Sequence, residues 1–194
     1  MAKQYTKNLI KSEFLKLLED YPFRCITISQ LTQECDINRN TFYYHYEDIY
    51  SLVKEILQDE LDKVDQEFNT SFSWEESLLH AAAFLLNNKK AAQNLFQSID
   101  KKETDAYLST VCMTVMNKYV ENECHAKDIQ AQESDKQLIT DFYQAALVGL
   151  LTQWVQDGMT EAPQALIFRI GQLFDGNIER SLRISQHLPS SPLK

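Results

Sequence analysis

Ten residues, Ile37 to Tyr46 (Ile-Asn-Arg-Asn-Thr-Phe-Tyr-Tyr-His-Tyr), carry donors, acceptors and aromatic rings but no carboxylate, in a chain whose formal net charge is −9. Read as a short helix, the stretch has Asn38 as its N-cap and Arg39 as its first residue, and Ile37 can clamp onto Phe42 as a hydrophobic staple. Phe42 and Tyr46 then lie one turn apart on the inward face, which leaves Arg39, Asn40, Tyr43, Tyr44 and His45 pointing outward. A surface helix of an acidic protein would ordinarily show Glu or Asp there, so their absence points to an anionic partner. Arg pairs well with guanine and Asn with adenine, which makes Arg39 and Asn40 the candidates for base edges.

The segment just upstream must position this helix, and it has the same grammar. Thr27 and Gln30 form a capping box, while Ile26 and Leu31 form a second staple. Only Cys35, Asp36 and Ile37 separate the two short helices, the connection expected of a helix-turn-helix whose second helix enters the DNA major groove. The run from Thr27 to Leu52, with its Thr-aromatic-Tyr-Tyr-His-aromatic core, resembles the DNA-binding domain of TetR-family transcriptional regulators. Several expectations follow from the resemblance. The chain would be a homodimer on a pseudo-palindromic double-stranded operator, most often a repressor relieved by a small-molecule effector, with activation through a protein co-regulator as the alternative. Thr27, Tyr43 and His45 fall where the family contacts phosphates, and Thr41 and Tyr44 where a base methyl or the backbone is within reach. The chain also departs from the pattern: Asp36 stands in the turn where the family usually has Gly, Thr32 and Cys35 where it has Ala, and Ile49 where a Lys usually meets a phosphate.

Composition sets the frame. At 194 residues, with four Gly and four Pro, the chain is long enough for a reading domain plus a larger body, and too poor in turn residues for a β fold. The expectation is all-α, with a three-helix helix-turn-helix domain over residues 1–50, a helical ligand-binding and dimerisation bundle over 51–185 and a flexible tail over 186–194. Residues 1–50 hold six Lys and Arg against seven Asp and Glu, a balance of −1, so the acidity sits in the body. DNA affinity depends on local phosphate contacts, and a near-neutral head remains compatible with it. No His-Glu-x-x-His, Gly-rich phosphate loop or nucleophile motif supports an enzyme, and no cofactor is expected. Cys25, Cys35, Cys112 and Cys124 form no Cys-x-x-Cys pair, and Glu121, Glu123, Cys124 and His125 lack the spaced partner set of a metal site. With neither a signal-peptide pattern nor a membrane-length apolar run, the expected location is the cytoplasm.

The remaining chain reads as a succession of helices. The first spans Lys7 to Glu19 with Thr6 as cap, Lys3 and Lys7 near its start being placed to reach phosphate. Asp48 caps a connector helix to Phe68, and Ser73 with Glu76 opens another over 74–86. Helices at 89–99 and 104–120 follow, then a polar connection from Glu121 to Asp135. An aromatic and methionine stripe recurs through these helices, more often plain core than cavity. The resemblance implies an effector pocket within this bundle, for which the candidates are Phe84, Phe96, Tyr107, Cys112 and Met116, with His80 as a polar handle. The helix from Lys136 to Gln156 is apolar nearly all round, and the last, Pro163 to Ile184, carries Leu166, Ile170, Phe174, Ile178 and Leu182 in one stripe. Two such helices read as a dimerisation hairpin, with Ala145, Ala146 and Gly149 allowing close approach and Trp154, Ile170, Phe174 and Ile178 filling the contact.

Overall fold

The computed structural model describes residues 2–189 and, among them, α-helices and no strand: α1 (Ala2–Asp20), α2 (Ile28–Glu34), α3 (Arg39–His45), α4 (Ile49–Ser71), α5 (Trp74–Asn87), α6 (Lys89–Phe96), α7 (Lys101–Ala126), α8 (Glu133–Gln156), α9 (Pro163–Phe174) and α10 (Asn177–Ser185). A single 3-10 turn, Phe23–Cys25, joins α1 to α2. The all-α expectation holds. No described helix is long and apolar enough to cross a membrane. Residues 190–194, the end of the expected tail, lie outside the described residues.

The chain forms two compact units. The N-terminal unit comprises the segment up to Leu61 together with Phe84–Thr104. Its core joins Ile10, Phe14 and Leu18 of α1, Leu31 of α2, Phe42 of α3, and Leu52 and Ile56 of α4 with Ala91 and Leu95 of α6. Helix α6 belongs here because it closes the far end of α1: the Asn94 amide donates to the Leu18 carbonyl at 2.7 Å, and Arg24 Nε donates to the Ser98 carbonyl at 3.0 Å. Such bonds satisfy carbonyls that a helix C-terminus leaves open. The unit therefore extends past residue 50. Helix α1 also starts earlier than expected: Thr6 lies inside it, not at its cap, because no residue from Ala2 onward breaks the helix and Gln4 bonds Asn8 one turn on at 3.0 Å.

The C-terminal unit comprises Asp62–Ala83 and the segment from Asp105 onward. The Ser73 cap is as expected, its Oγ accepting from the Glu76 amide at 3.2 Å. The polar stretch from Glu121 is not a connection along its whole length, since α7 continues to Ala126. Val120 and Cys124 stay buried along one face, and the Lys127–Glu123 pair at 2.8 Å supports the last turn. The start of α8 is tied to the end of α10, where Ser185 Oγ accepts from the Gln132 amide at 3.0 Å and donates to Asp135 at 2.6 Å. The helix expected over 163–184 is in fact two, for the backbone turns at Asp175 and passes through Gly176 at φ +70, a left-handed conformation that glycine adopts without penalty.

Candidate nucleic-acid interface

The two short helices of the N-terminal unit are set by local chemistry. Thr27 Oγ1 accepts from the Gln30 amide at 3.2 Å to start α2, and Asn38 Oδ1 accepts from the Thr41 amide at 2.8 Å to start α3. Between them the chain makes a Schellman turn: the Ile37 amide donates to the Thr32 carbonyl at 3.0 Å and the Asp36 amide to the Gln33 carbonyl at 3.1 Å. Asp36 supplies the left-handed residue at φ +50. A β-carbon is strained there, so Asp36→Gly is expected to raise stability by about 0.5–1 kcal/mol, read from the urea midpoint at unchanged m-value. A destabilised variant would mean that the Asp side chain, and not the backbone, holds the turn.

Helix α3 presents its two faces as the sequence implies. Phe42 and Tyr46 are buried, while Tyr43 and Tyr44 stand 55% and 71% exposed beside exposed Arg39 and Asn40. Thr41 is half-buried and donates its hydroxyl to Asn38 Oδ1 at 3.1 Å, so it already has an intramolecular partner. Arg39 donates to Ser29 Oγ on α2, which places Ser29 at the same surface. Ser29 was not singled out in the sequence, although its position two residues after the Thr27 cap was the available signal. His45 differs from its outward neighbours: it is half-buried, packs edge-on against Tyr44 at 5.0 Å, and its Nδ1 is buried with no hydrogen-bond partner. Burial first, then the charges of Lys7 and Lys3, hold its pKa below the usual imidazole value. A phosphate contact from His45 would thus be a neutral N–H donor, not a cation.

The lysines of α1 divide. Lys3 is exposed and sits over the Tyr44 ring at 5.3 Å, joined to the outward face. Lys7 is not the free cation its position in the sequence suggests, since it pairs with Glu55 of α4 at 2.6 Å. Lys11 pairs with the same carboxylate at 2.6 Å and with Asp59 at 2.5 Å. Burial pushes the Glu55 carboxyl up, but hydrogen bonds from Lys11 and Lys7 outweigh it and leave its pKa below the usual value. The Tyr46 hydroxyl also reaches Glu55, at 3.4 Å, and its pKa is raised by burial and that carboxylate. Glu55 thereby links α1, the end of α3 and α4.

The six residues expected to line an effector pocket fall in both units. Phe84 and Phe96 belong to the N-terminal unit, where with Phe14 and Leu18 they border a crevice of about 30 Å³, too small for a ligand. His80, Tyr107, Cys112 and Met116 belong to the other unit. Cys112 is fully buried there and its thiol is pushed up to about 12 by that burial. Of the six, Met116 alone borders a cavity of about 330 Å³ in the C-terminal unit, whose wall includes Trp74, Glu75, Tyr119, Glu123, Lys127 and Tyr143. Near the chain's Glu121–His125 cluster, Glu121 pairs with Lys136 and Glu123 with Lys127, and Cys124 faces the core.

The expected dimer residues also divide. Ala145, Ala146, Gly149 and Phe174 are exposed and Ile170 is half-buried. Trp154 and Ile178 instead serve the protomer's own interior, the Trp154 indole N–H donating to the Glu161 carbonyl at 2.8 Å. Leu138, Phe142 and Leu150 of α8 and Phe168 of α9 are exposed as well, Phe142 at 68% and Phe168 at 65%.

Two short capped helices joined by a tight turn, followed by a separate helical body, have the arrangement of a helix-turn-helix transcriptional regulator, and comparison with known proteins agrees on that class. Residues 72–176, more than half of the chain, match the TetR-type family model described as a transcriptional regulator C-terminal region. The chain belongs to the TetR family of transcriptional regulators, which are not enzymes. It is 19% identical over 153 residues to the HTH-type dhaKLM operon transcriptional activator DhaS of Lactococcus lactis, covering 79% of this chain and 81% of that one. Its fold resembles the solved dihydroxyacetone kinase operon activator DhaS at a TM-score of 0.77, with 19% identity and 90% and 97% of the two chains covered. A TetR transcriptional regulator from Streptococcus agalactiae superposes at a TM-score of 0.60, with 20% identity over 89% and 94% of the chains.

Proposed function

We propose that the chain acts in the cytoplasm as a homodimeric regulator that reads a pseudo-palindromic operator in double-stranded DNA, one copy of α3 entering each of two major-groove half-sites about 34–36 Å apart or a multiple of that. The observation that carries this reading is the outward face of α3. It is free of carboxylates, it is aimed by two buried aromatics and an Asn cap, and it offers Arg39 and Asn40 for base edges with Tyr43, Tyr44 and Lys3 beside them. In the free protein Arg39 rests on Ser29, and on DNA it would exchange that hydroxyl for a guanine edge. Thr27 and His45 complete the phosphate contacts as neutral donors.

Activation is the sign of regulation favoured here over the repression expected from the sequence, because the curated relative is an operon activator. Two observations favour a contribution from a protein co-regulator. Lys7 and Lys11 are committed to Glu55 and Asp59, and Ile49 stands where a phosphate-binding Lys is usual, so autonomous DNA binding has few cations to draw on.

Arg39→Ala is expected to cost about 1–3 kcal/mol on the operator and to relax specificity at one base pair, whereas Tyr43→Phe weakens operator and scrambled DNA alike. Fluorescence anisotropy of the purified protein on DNA from its own upstream region would show both. Identical specificity profiles for the two variants would remove α3 as the reading element.

A further inference from the structure

The cavity of the C-terminal unit, formed by α5, α7, α8, α9 and α10, has four carboxylates in its wall, Glu75, Glu123, Asp175 and Glu179, against one cation, Lys127. Two of the four are compensated. Lys127 Nζ lies 2.8 Å from Glu123 and 2.6 Å from Glu179, and Arg183 Nε adds a bond to Glu179 at 2.8 Å. Glu75 has no such cation and is favoured only by its place in the first turn of α5. Ser73 Oγ donates to its Oε2 at 2.9 Å, and its Oε1 presses against α9 at Gly171, only 2.9 Å from where a β-carbon would stand. Among the described residues no cation pairs with Glu75, which is half-buried, or with exposed Asp175. A carboxylate drawn part-way out of water and given one hydrogen bond is costly unless a positive charge joins it.

The remainder of the wall suits such a charge when it is carried on an apolar body. Trp74, Tyr119, Tyr143 and Phe174 bring four aromatic rings to the cavity, and Met116 and Leu147 add apolar surface. Aromatic faces attract ammonium groups, and most strongly where water is partly excluded. The Tyr119 hydroxyl is pushed up to about 12, first by burial and then by Glu123 and Glu75, which keeps it a neutral phenol beside the negative charge. At about 330 Å³ the space is that of a small ligand, at the lower end of the usual range of binding pockets.

We propose that this cavity binds a small organic cation with an apolar body, its ammonium group set against Glu75 among the aromatic side chains. The inference rests on the regulator reading only for its consequence, namely that the bound cation alters operator affinity. Binding itself is a property of the protein without DNA. Benzyltrimethylammonium is the probe, and its neutral isostere neopentylbenzene, with carbon in place of the quaternary nitrogen, is the control. Both are titrated into the full chain and their affinities read by isothermal titration calorimetry. The cation is expected to bind on the order of tenfold more tightly than the isostere. Glu75→Gln should abolish that preference while leaving neopentylbenzene unaffected. Asp175→Asn, at an exposed position where folding is not at stake, should reduce the preference in part. Equal affinity for the two probes, no binding of the cation, or a preference that survives both substitutions would overturn the proposal. Operator binding is measured separately by anisotropy, so a protein that grips its operator but ignores the cation refutes the cavity assignment alone, and the converse result refutes the operator reading alone.

Discussion

Phe42→Ala is expected to lower stability by about 3–5 kcal/mol, the range for removing a large aromatic side chain from a packed core. Phe42 has no exposed surface. Its ring meets Tyr46 at 5.7 Å and the edge of Tyr43 at the same distance, and it packs in one core with Phe14, Leu31, Leu52 and half-buried Ile37. The truncation opens a void that α1, α2 and α4 cannot all close at once, since each is held by other buried side chains. Because a domain of this size is stable by only about 5–15 kcal/mol, the variant would stand close to unfolding. Function should suffer before the fold does: α3 depends on this ring for its orientation, so operator affinity should fall even where the protein is still folded. Urea unfolding followed by circular dichroism gives the first quantity and anisotropy the second. A loss below about 1 kcal/mol would show that Phe42 is not what anchors the helix.

Gly149→Arg is expected to weaken self-association by roughly 10³-fold while leaving the protomer folded, on the proposal that α8 and α9 form the dimer contact. Within its own protomer a β-carbon at residue 149 meets nothing within 4 Å. Replacing a mid-helix Gly should, if anything, favour the isolated helix by about 1 kcal/mol. The surrounding surface is apolar, with Leu138, Phe142, Ala145, Ala146 and Leu150 exposed on α8 and Phe168 on α9. A two-fold contact would place two guanidinium groups in that patch, where Asp141, two turns from residue 149, is the exposed carboxylate on the same row of α8, and charges drawn into a buried interface without a close partner are strongly destabilising. Sedimentation equilibrium would report the monomer directly. If the variant associates as tightly as the parent chain, the contact lies on another face.

What could be read from the sequence was what depends on neighbours three and four residues apart. The caps at Thr27, Asn38 and Ser73, the burial of Phe42 and Tyr46 and the exposure of Tyr43 and Tyr44 are of this kind. Partners far apart in the chain were not legible. Lys7 looks available until α4 brings Glu55 to it from 48 residues away, and the cavity draws Glu75, Glu123 and Phe174 from three separate helices. The misread last helix has a clearer cause. Leu166, Ile170, Phe174, Ile178 and Leu182 recur at a strict spacing of four, which in a helix of 3.6 residues per turn drifts about 40° at each step. Four such steps carry the stripe well around the cylinder, so one straight helix could not bury both ends on one face. The turn at Asp175–Gly176 resets the direction, leaving Phe174 exposed and Ile178 and Leu182 buried.

The place of α6 has a consequence for how this protein can diverge. The N-terminal unit is not one stretch of chain: the polypeptide leaves it after Leu61, returns at Phe84 and leaves again after Thr104. A fragment ending at Leu61 would lack Ala91 and Leu95 from its core and Asn94 from the end of α1. Such a head cannot be cut out, or exchanged for that of another regulator, as a single cassette of coding sequence. New DNA preferences are therefore expected to arise by point substitution on α3, with the interleaved gene holding head and body together as one inherited piece.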